Sequence, residues 1–416
     1  MLETLWANGH AAFVVGGAVR DALLGIASAD WDVATDAAPE RLLQIFPQGT
    51  YQNRFGTVRV GALEVTTFRR DHRYADHRRP ERVTFTDDIF EDLARRDLTI
   101  NAIAWGRRAG GGEARWLDPA DGLSDLRARV VRAVGDANSR FDEDALRLLR
   151  AVRIAAHLDF EIEPRTLAAI RTHATAIEWV SEERVATEIR RMLGAAEPSR
   201  ALRLLRSTGL TMMALPELAA VADAAHADAV VDAIAGTAHD SETMRLAALV
   251  HVLDEEGRKA TLSRLRVSER QASVVMRLAI HAHAADEEAS NDIELRRLMQ
   301  HLGAGATDAL LELRRAHARA VGDESALDAV AMLADRIALQ RAAGVPLGLA
   351  DLPLDGRDLR QELGVEEGPV VGHILEALLE RVIVDPTLSE RATLLAAARQ
   401  MVAGSSGPDS RVGSAE

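Results

Sequence analysis

A change of sequence pattern near Phe141 limits most strongly what this chain can fold into. Before it, glycines and turn residues separate short runs such as AAFVVGG, DWDVAT and GTVRVGALEVTTFR, a pattern typical of strands joined by loops and a few helices. After it, apolar residues recur at helical spacing, and alanine and leucine dominate. We therefore predict an α/β head followed by an all-α remainder.

A chain of 416 residues is too long for one ordinary core. We expect the helical part to split near residues 205 and 340, and the final segment, GSSGPDSRVGSAE, to be disordered. No run approaches 18 apolar residues, and the first residues do not resemble a signal peptide. We therefore expect no membrane partner and a cytoplasmic location. The chain has no cysteine, which excludes disulfides, thiolate catalysis and cysteine-ligated metal sites.

The net charge of −14 is unevenly distributed along the chain. Residues 1–160 carry a net charge of −2, residues 161–216 carry +1, and residues 217–416 carry −13. The acidity thus lies in the C-terminal half. A nucleic-acid partner for the first half is not excluded, because the local charge, rather than the sum, governs binding.

Two aspartates, Asp30 and Asp32, are the first candidate catalytic residues. On a strand they would point to the same face, with Trp31 turned to the opposite one. Two adjacent carboxylates repel each other unless a cation lies between them, and hard oxygen ligands favour Mg²⁺. Such a pair suits metal-dependent phosphoryl or nucleotidyl transfer. The alternative is a solvated turn.

Three further features support a nucleotide site. Gly16 and Gly17 follow an apolar strand and would let the backbone approach a triphosphate, which Arg20 could also reach. Glu64 lies within a β-rich segment and is a candidate third carboxylate. A plain strand–turn–helix corner would explain the glycines equally well, and an exposed strand face would explain Glu64.

Two arginine-rich segments complete the candidate site. In the first, Arg96 could bind phosphate, while Asp97 and Asn101 would share a helix face and could simply brace the fold. In the second, Asp144 and Arg147 lie three residues apart on a predicted helix. They could form an ion pair, or a carboxylate acceptor and guanidinium donor could recognise the amino group and ring nitrogen of cytosine or adenine.

Taken together and in order, six motifs resemble the class II tRNA nucleotidyltransferases, that is, the bacterial and eukaryotic CCA-adding enzymes, and the related bacterial poly(A) polymerases. The motifs are Gly16-Gly17-x-x-Arg20-Asp21-x-Leu-Leu-Gly25 with Asp30-x-Asp32, Glu64-Val-Thr-Thr-Phe-Arg69, Arg95-Arg96-Asp97-x-Thr-Ile-Asn101, Asp118-Pro119-x-x-Gly122-x-x-Asp125-Leu126, Glu143-Asp144-x-x-Arg147 and the weaker Glu183-Arg184-x-x-x-Glu188. The resemblance is dense over residues 12–195 and thin beyond residue 215.

The resemblance implies a DNA polymerase beta-like nucleotidyltransferase head at residues 1–137. It further implies a helical neck at 138–205, a body at 206–340, a tail at 341–403 and a disordered end at 404–416. Asp30, Asp32 and Glu64 would be catalytic and hold Mg²⁺. The residues implied in nucleotide binding are Gly16, Gly17, Arg20, Arg96, Asp97, Asn101, Asp144, Arg147, Arg150 and Arg153. Among these, Asp144 and Arg147 would select the base, with Arg150 and Arg153 assisting.

The implied activity is template-independent addition of CCA to the tRNA 3′ end from CTP and ATP, releasing pyrophosphate. The implied partner is the tRNA acceptor arm, with no DNA. An A-adding enzyme or a poly(A) polymerase is the first alternative, and a non-catalytic RNA-binding scaffold the second. The segment Gln52–Val58 favours the CCA-adding pattern, and the loop between Arg70 and Phe85, which CC-adding relatives lack, is present.

Two further expectations concern the helical part. The arginines that could grip tRNA are Arg190, Arg191, Arg200, Arg203, Arg206, Arg264 and Arg266. Some relatives carry a metal-dependent phosphohydrolase domain with a His-Asp pair, but here the corresponding place reads His251-Val252, so we expect no such activity.

Overall fold

The structure is a computed structural model that describes residues 1–28, 30–53, 55–72, 82–282 and 289–405. Most of the loop between Arg70 and Phe85, the residue Arg54 and most of the predicted disordered end lie outside these ranges. No helix in the described part of the chain combines the length and the apolar character needed to cross a membrane. The α/β head followed by helices is confirmed.

The strands come almost entirely from the first 131 residues, where the sequence pattern predicts them. They are β1 (Ala12–Val15), β2 (Asp32–Thr35), β3 (Thr50–Asn53), β4 (Thr57–Val60), β5 (Leu63–Thr67), β6 (Arg69–His72), β7 (Arg82–Phe85), β8 (Ala104–Arg107), β9 (Arg115–Leu117), β10 (Val130–Val131) and β11 (Glu161–Ile162). Seven of them form one sheet in the order β3-β4-β5-β2-β1-β8-β9. In this sheet β2 and β5 run parallel, and the other neighbours are antiparallel.

Helices connect the strands and make up nearly all of the chain beyond residue 137. They are α1 (Leu2–Ala7), α2 (Gly17–Leu23), α3 (Pro39–Ile45), α4 (Ile89–Ala94), α5 (Gly122–Ala128), α6 (Ala137–Glu143), α7 (Leu146–Leu158), α8 (Pro164–Thr172), α9 (Glu182–Leu193), α10 (Pro198–Ser207), α11 (Leu210–Ala214), α12 (Pro216–Ala219), α13 (Ala224–Ile234), α14 (Glu242–Val250), α15 (Glu255–Arg264), α16 (Glu269–His281), α17 (Asp292–Leu302), α18 (Ala304–Val321), α19 (Glu324–Ala342), α20 (Gly356–Leu363), α21 (Pro369–Val384) and α22 (Arg391–Ser405). Short 3₁₀ turns span Thr99–Asn101, Ala174–Trp179, Leu349–Asp351 and Pro386–Ser389.

The large sheet has two different faces because strand side chains alternate. The front face carries Phe13, Val15 and Ala34, which pack against α4 in one hydrophobic cluster. The back face carries Val33 and Val65, which pack against Leu5 of α1 and Leu42 of α3 in a second cluster. Asp32 of β2 and Glu64 of β5 are direct partners, and both therefore present their carboxylates on the front face.

The chain is organised into compact units in which distant segments come together. Contacts group the described residues into two compact units. The first comprises Met1–Ala235 with Val252–Glu269, and the second comprises Gly236–His251 with the chain from Arg270 onward. The sheet and the helices α6 to α9 thus belong to a single unit. The finer division into neck, body and tail stays a prediction.

Within the first unit, α7 is the central helix. Ten of its thirteen residues are buried, among them Leu148, Leu149 and Val152. Burial on nearly all sides explains why its sequence is apolar over more than one stripe. The helix packs against α9 and α10 and contacts the short strands β10 and β11.

The second unit is held by capped helices and a buried arginine. Asn291, Asp323 and Asp355 accept hydrogen bonds from backbone N–H groups at the starts of α17, α19 and α20, as is typical of helix caps. Arg296 of α17 is buried and donates to the carbonyl oxygen of Ile383 at 2.6 Å. It thereby satisfies a carbonyl near the end of α21 that has no partner within its own helix.

The packing of β8 against β1 allows a stability prediction at Gly106. A Cβ atom there would lie 2.1 Å from the Ala12 carbonyl oxygen and 2.7 Å from the Phe13 Cα, so the backbone has to move to admit it. We expect Gly106→Ala to lower the free energy of unfolding of the first unit by about 3 kcal/mol or more, measured by urea denaturation.

The control for this prediction is Gly194→Ala at the end of α9. Its added Cβ would meet the Arg191 carbonyl oxygen at 3.5 Å and the Arg190 carbonyl oxygen at 3.6 Å, which are ordinary van der Waals contacts. This variant should remain within about 1 kcal/mol of the parent. Equal stability of the two variants would contradict the packing argument.

Candidate active site

A cleft of about 480 Å³ opens on the front face of the sheet. Its lining residues are Val15, Asp32, Val33, Phe55, Thr57, Glu64, Thr66, Arg69, Arg95, Arg96, Asp97, Asp144, Leu146, Arg147, Arg150 and Arg184. Six of these residues are arginines and four are carboxylic acids, so the cleft has an excess of positive charge. A positively charged cleft with carboxylates in its wall suits an anionic ligand that binds together with a cation.

Asp32 and Glu64 come together through strand register. The strands β2 and β5 are parallel neighbours, and the two residues are direct partners in that pairing. Asp30 lies just ahead of β2, which begins at Asp32, so the expectation that both aspartates lie on the strand is wrong. Asp30 does not line the cleft, although it remains close enough to act electrostatically on Asp32.

The electrostatics at Asp32 favour a bound cation. Burial raises the pKa of its carboxyl, although Asp32 keeps accessible surface in the cleft. The Arg96 guanidinium lowers the pKa, the carboxylates of Glu64 and Asp30 raise it, and the balance remains upward. Glu64 is joined to Arg59 of β4 at 2.9 Å. The carboxylates of Asp32, Glu64 and Asp30 are an oxygen donor set that fits a hard divalent cation.

Gly16 lets the backbone lie against this carboxylate. It has a φ of 81°, a left-handed value that favours glycine, and it stands immediately before α2. An added Cβ would lie 3.2 Å from Asp32 Oδ2 and 3.4 Å from Arg96 Nη1. Gly17 is the first residue of α2. The predicted strand–turn–helix corner is therefore present at the edge of the cleft.

Arg96 acts electrostatically on Asp32, and one of its N–H donors has no hydrogen-bond partner among the described residues. Its Nη2 donates to Asp92 Oδ2 at 3.1 Å, while its Nε is buried and has no hydrogen-bond partner among the described residues. Burial would raise the pKa of Asp92, but the guanidinium groups of Arg95 and Arg96 outweigh it and hold the pKa below the usual range. Arg96 lines the cleft, so its guanidinium is suited to an anionic oxygen of a ligand.

A buried polar network runs from α2 to α7. Arg20 donates to Asp21 at 2.7 Å and to Asn101 Oδ1 at 2.7 Å. Asn101 Nδ2 donates to Asp97 Oδ1 at 3.2 Å, and Arg150 Nε donates to Asp97 Oδ2 at 2.8 Å. Asp97 and Asn101 thus meet as expected, but they do not share a helix, because Asp97 precedes a 3₁₀ turn. Neither Arg20 nor Asn101 lines the cleft.

Asp144 and Arg147 both line the cleft, and the alternative of an ion pair between them is wrong. Asp144 lies in the break between α6 and α7, and its Oδ2 accepts from Arg184 of α9 at 2.9 Å. Arg147 forms its ion pair with Glu143 and donates to the Arg95 carbonyl at 3.0 Å. The two side chains thus have different ion-pair partners, and both lie on the cleft wall.

The sequence analysis both missed and misplaced some residues. Arg153 donates to Glu188 at 2.6 Å and does not line the cleft. Arg69, Arg95 and Arg184 line it but were not among the predicted site residues. A signal was available, because each of these three lies within one of the six motifs.

Two protein families match this chain, one in its sheet-bearing part and one in its helical part. Residues 12–132 match the family described as the poly A polymerase head domain. Residues 159–221 match the family described as a probable RNA and SrmB-binding site of polymerase A. The first range contains the large sheet, and the second contains α8 to α12.

Curated relatives match over nearly the whole length or over about half of it. The chain is 32% identical over 412 residues to the CCA-adding enzyme of Lactococcus lactis subsp. lactis, covering 97% of this chain and 96% of that protein. It is 44% identical over 224 residues to the CCA-adding enzyme of Geobacillus stearothermophilus, covering 53% of this chain and 54% of that protein.

Solved structures give the same result. The crystal structure of the Bacillus stearothermophilus CCA-adding enzyme in complex with CTP aligns with a TM-score of 0.73 and 29% identity, covering 97% of both chains. A second CCA-adding enzyme structure, in complex with ATP, aligns with a TM-score of 0.66 at 19% identity and supports the fold.

The network allows a prediction of stability against pH at Asp97. Burial alone would raise the pKa of this carboxyl, but Arg150 and the Asn101 amide outweigh burial and hold it well below its usual range. The charged carboxylate therefore stabilises the fold above about pH 4, and this contribution is lost as the pH falls further. We expect Asp97→Asn to lower the free energy of unfolding by about 3 kcal/mol at pH 7 and by clearly less at pH 3.

Urea denaturation at the two pH values measures this difference. The matched control is Glu161→Gln, which removes a carboxylate whose side chain is 85% exposed and paired with Arg200. That variant should change the stability by less than about 1 kcal/mol. A loss at Asp97→Asn that stays the same from pH 7 to pH 3 would show that the carboxylate charge is not the cause.

Proposed function

This chain belongs to the family of CCA-adding enzymes, and we propose that it adds C, C and A to the 3′ end of tRNA without a nucleic-acid template. CTP and ATP are the substrates and pyrophosphate is released. The observation that carries this proposal is the convergence in one cleft of the Asp32–Glu64 pair, a cationic wall and the side chains of Asp144 and Arg147.

The carboxylates of Asp30, Asp32 and Glu64 are the proposed ligands of divalent metal, and we propose Mg²⁺ as the ion. The upward shift of the Asp32 pKa, caused by burial and neighbouring carboxylates, supports this assignment. When bound there, the ion would lower the pKa of the tRNA 3′-hydroxyl and neutralise charge on the triphosphate.

The remaining cleft residues act by binding and orienting the nucleotide. We propose that Arg96, with its unsatisfied Nε, and the backbone at Gly16 and Gly17 contact the triphosphate. Arg20 was expected to do the same, but its Nε, Nη1 and Nη2 donate to Asp21 and Asn101. A positioning role through the buried network is therefore the better proposal for Arg20.

Base selection is proposed for Asp144 and Arg147. A carboxylate oxygen accepts from the exocyclic amine shared by cytosine and adenine, while a guanidinium donates to the adjacent ring acceptor. In the structure each side chain is held by a different partner, Arg184 for Asp144 and Glu143 for Arg147. Fixed side chains can reject bases whose donors and acceptors are exchanged, because a mismatched base leaves buried polar groups unpaired.

The tRNA acceptor arm is the proposed macromolecular partner, with no role for DNA and with a cytoplasmic location. The match of residues 159–221 to an RNA-binding family supports the first point. Several candidate arginines are engaged in ion pairs with protein carboxylates, namely Arg200 with Asp159 and Glu161, Arg206 with Asp228, Arg264 with Glu217, and Arg266 with Glu182. Such arginines would have to share their donors to bind a phosphate.

Removal of one metal-binding carboxylate tests the catalytic assignment. We expect Asp32→Asn to reduce the addition of both C and A at least about 100-fold, because metal affinity and charge stabilisation are lost together. Its melting temperature should not fall, since neutralising a carboxyl whose pKa is raised relieves repulsion in the folded state. The exposed Glu40 on α3 provides the control Glu40→Gln, which should retain full activity.

The assay uses three tRNA transcripts, ending before CCA, after C and after CC, with Mg²⁺ and CTP, ATP or both. Growth to CCA and no further supports the proposal. A single A added only to the CC-ending transcript would identify an A-adding enzyme, and long A tails a poly(A) polymerase. Full activity of Asp32→Asn, or tRNA binding without growth by the parent protein, would contradict it.

Base selection has its own test at Arg147. We expect Arg147→Ala to reduce the preference for CTP and ATP over UTP and GTP by at least about 10-fold in kcat/KM, because a donor to the base is lost. Arg153→Ala is the control, since Arg153 is bonded to Glu188 outside the cleft and should leave this ratio unchanged. Unaltered selectivity in Arg147→Ala would contradict the assigned role.

A further inference from the structure

The cleft contains two threonine hydroxyls to which the proposed function gives no role. Thr57 of β4 and Thr66 of β5 are direct register partners, and both line the cleft. Their Oγ1 atoms are 3.2 Å apart and form a hydrogen bond. Thr57 is only 7% exposed, and Thr66 is half-buried. We call these two residues the threonine pair.

The threonine pair can both donate and accept hydrogen bonds. Each hydroxyl carries one proton and two accepting lone pairs. The bond between the hydroxyls uses one of the two protons, so one O–H donor remains for a ligand. Among the described residues neither hydroxyl has another hydrogen-bond partner. Such a neutral donor and acceptor suits a neutral hydroxyl of a ligand, whereas the arginines of the cleft are the stronger ligands for its anionic oxygens.

The threonine pair lies beside the proposed metal ligands. Glu64 and Thr66 are two residues apart on β5, so both side chains point to the front face and their Cα atoms are about 7 Å apart along the strand. Thr57 is on the same face of β4, because its hydroxyl meets that of Thr66. A ligand atom held between Asp32 and Glu64 therefore has the threonine pair as its next polar neighbour along the sheet.

The threonine pair and Gly16 lie on opposite sides of the Asp32–Glu64 carboxylates. Across the sheet the order is β4, β5, β2 and β1, so Gly16, which follows β1, stands at the other end from β4. The same holds along the strands. Val15 is the register partner of Asp32, so Gly16 lies toward the start of β2, whereas the threonine pair lies toward the end of the parallel strand β5.

Nucleotidyl transfer determines what falls on each side of the carboxylates. The attacking and the leaving oxygen lie roughly in line across the reacting phosphorus. The proposed function places the triphosphate at Gly16, Gly17 and Arg96, on one side. The 3′-terminal ribose of the RNA then falls on the other side, against the threonine pair. In that ribose the 2′-hydroxyl is the immediate neighbour of the attacking 3′-hydroxyl.

We propose that the threonine pair binds the 2′-hydroxyl of the 3′-terminal ribose of the RNA and thereby selects ribose over deoxyribose at the end that is extended. A 2′-hydroxyl is both a donor and an acceptor, as the pair is, and it is the group by which a protein distinguishes RNA from DNA. The inference rests on the proposed function and adds to it the recognition of the sugar at the RNA end.

Two RNA substrates test this subsite. Both are tRNAs that end after the first C of CCA, and they differ only in whether the terminal sugar is ribose or 2′-deoxyribose. With Mg²⁺ and CTP, kcat/KM for the RNA is measured for the addition of one C. We expect the parent to prefer the ribose end at least about 10-fold. Loss of the 2′-hydroxyl also alters the reactivity of the 3′-hydroxyl, but equally in every variant, so a change of the ratio between variants reports the contact.

The double variant Thr57→Val with Thr66→Val removes both hydroxyls and keeps the branched shape. Its melting temperature should change little, because both partners of the hydrogen bond become apolar groups of the same shape. We expect its preference for the ribose end to fall at least about 5-fold, with the loss confined to the ribose-ended RNA and KM for CTP unchanged.

Two further variants complete the comparison. Thr57→Ser with Thr66→Ser keeps both hydroxyls and should retain the preference for the ribose end. The control Thr4→Val removes an exposed hydroxyl on α1, the helix that packs against the back face of the sheet, and should leave the ratio unchanged.

The subsite is contradicted if the double valine variant keeps the parental ratio, or if that variant loses activity equally with both RNAs. Equal extension of the two RNAs by the parent would contradict it as well. Failure of the proposed function looks different, because the parent then extends neither RNA, which overturns the subsite together with the function. A ratio that falls in the valine variant and is retained in the serine variant supports the subsite.

Discussion

The ion pair between Asp97 and Arg150 is the contact on which the site depends. Asp97 precedes the 3₁₀ turn that follows α4, whereas Arg150 belongs to α7, so the pair joins the sheet-bearing part of the chain to its central helix. Both residues line the cleft, and the Asp97 carboxylate also holds Asn101 and the Leu98 backbone N–H. A buried carboxylate with these partners fixes the cleft walls at the cost of its own hydration, which only a complete set of hydrogen bonds can offset.

The same logic extends across the cleft. Arg95 is held by Asp92, Arg147 by Glu143 and Asp144 by Arg184, so the wall opposite the sheet consists of side chains already fixed by protein partners. On the sheet side Asp32 and Glu64 face each other, Glu64 is paired with Arg59, and burial together with the neighbouring carboxylates keeps the pKa of Asp32 raised. One wall is thus held by ion pairs within the protein, whereas on the other wall the charged form of the Asp32 carboxyl is disfavoured. Preorganised donors that face the carboxylates of Asp32 and Glu64 are the arrangement expected where a metal and a polyphosphate bind together.

The two faces of the sheet serve different chemistry because alternation along each strand separates them. The front face carries the carboxylates and the packing against α4, while the back face carries the packing against α1 and α3. Gly106 shows how closely the strands approach, since a single added carbon would collide with β1. Alternation therefore lets one seven-stranded sheet carry the cleft on one face and a packed core on the other.

The sequence alone determined the α/β head, the helical remainder and most of the cleft. Alternation and helical periodicity are local properties, and the predicted site residues included Asp32, Glu64, Arg96, Asp97, Asp144, Arg147 and Arg150, all of which line the cleft. Sequence spacing could not decide which charges meet. It placed Asp144 and Arg147 on one helix. The helix is broken at Asp144, and the Asp144 carboxylate pairs with Arg184, forty residues away. Spacing also assigned Arg20 to phosphate binding, but Arg20 donates to Asn101, eighty-one residues away. Only the tertiary structure decided these partners, because an arginine pairs with whichever carboxylate the packing of the chain brings within reach.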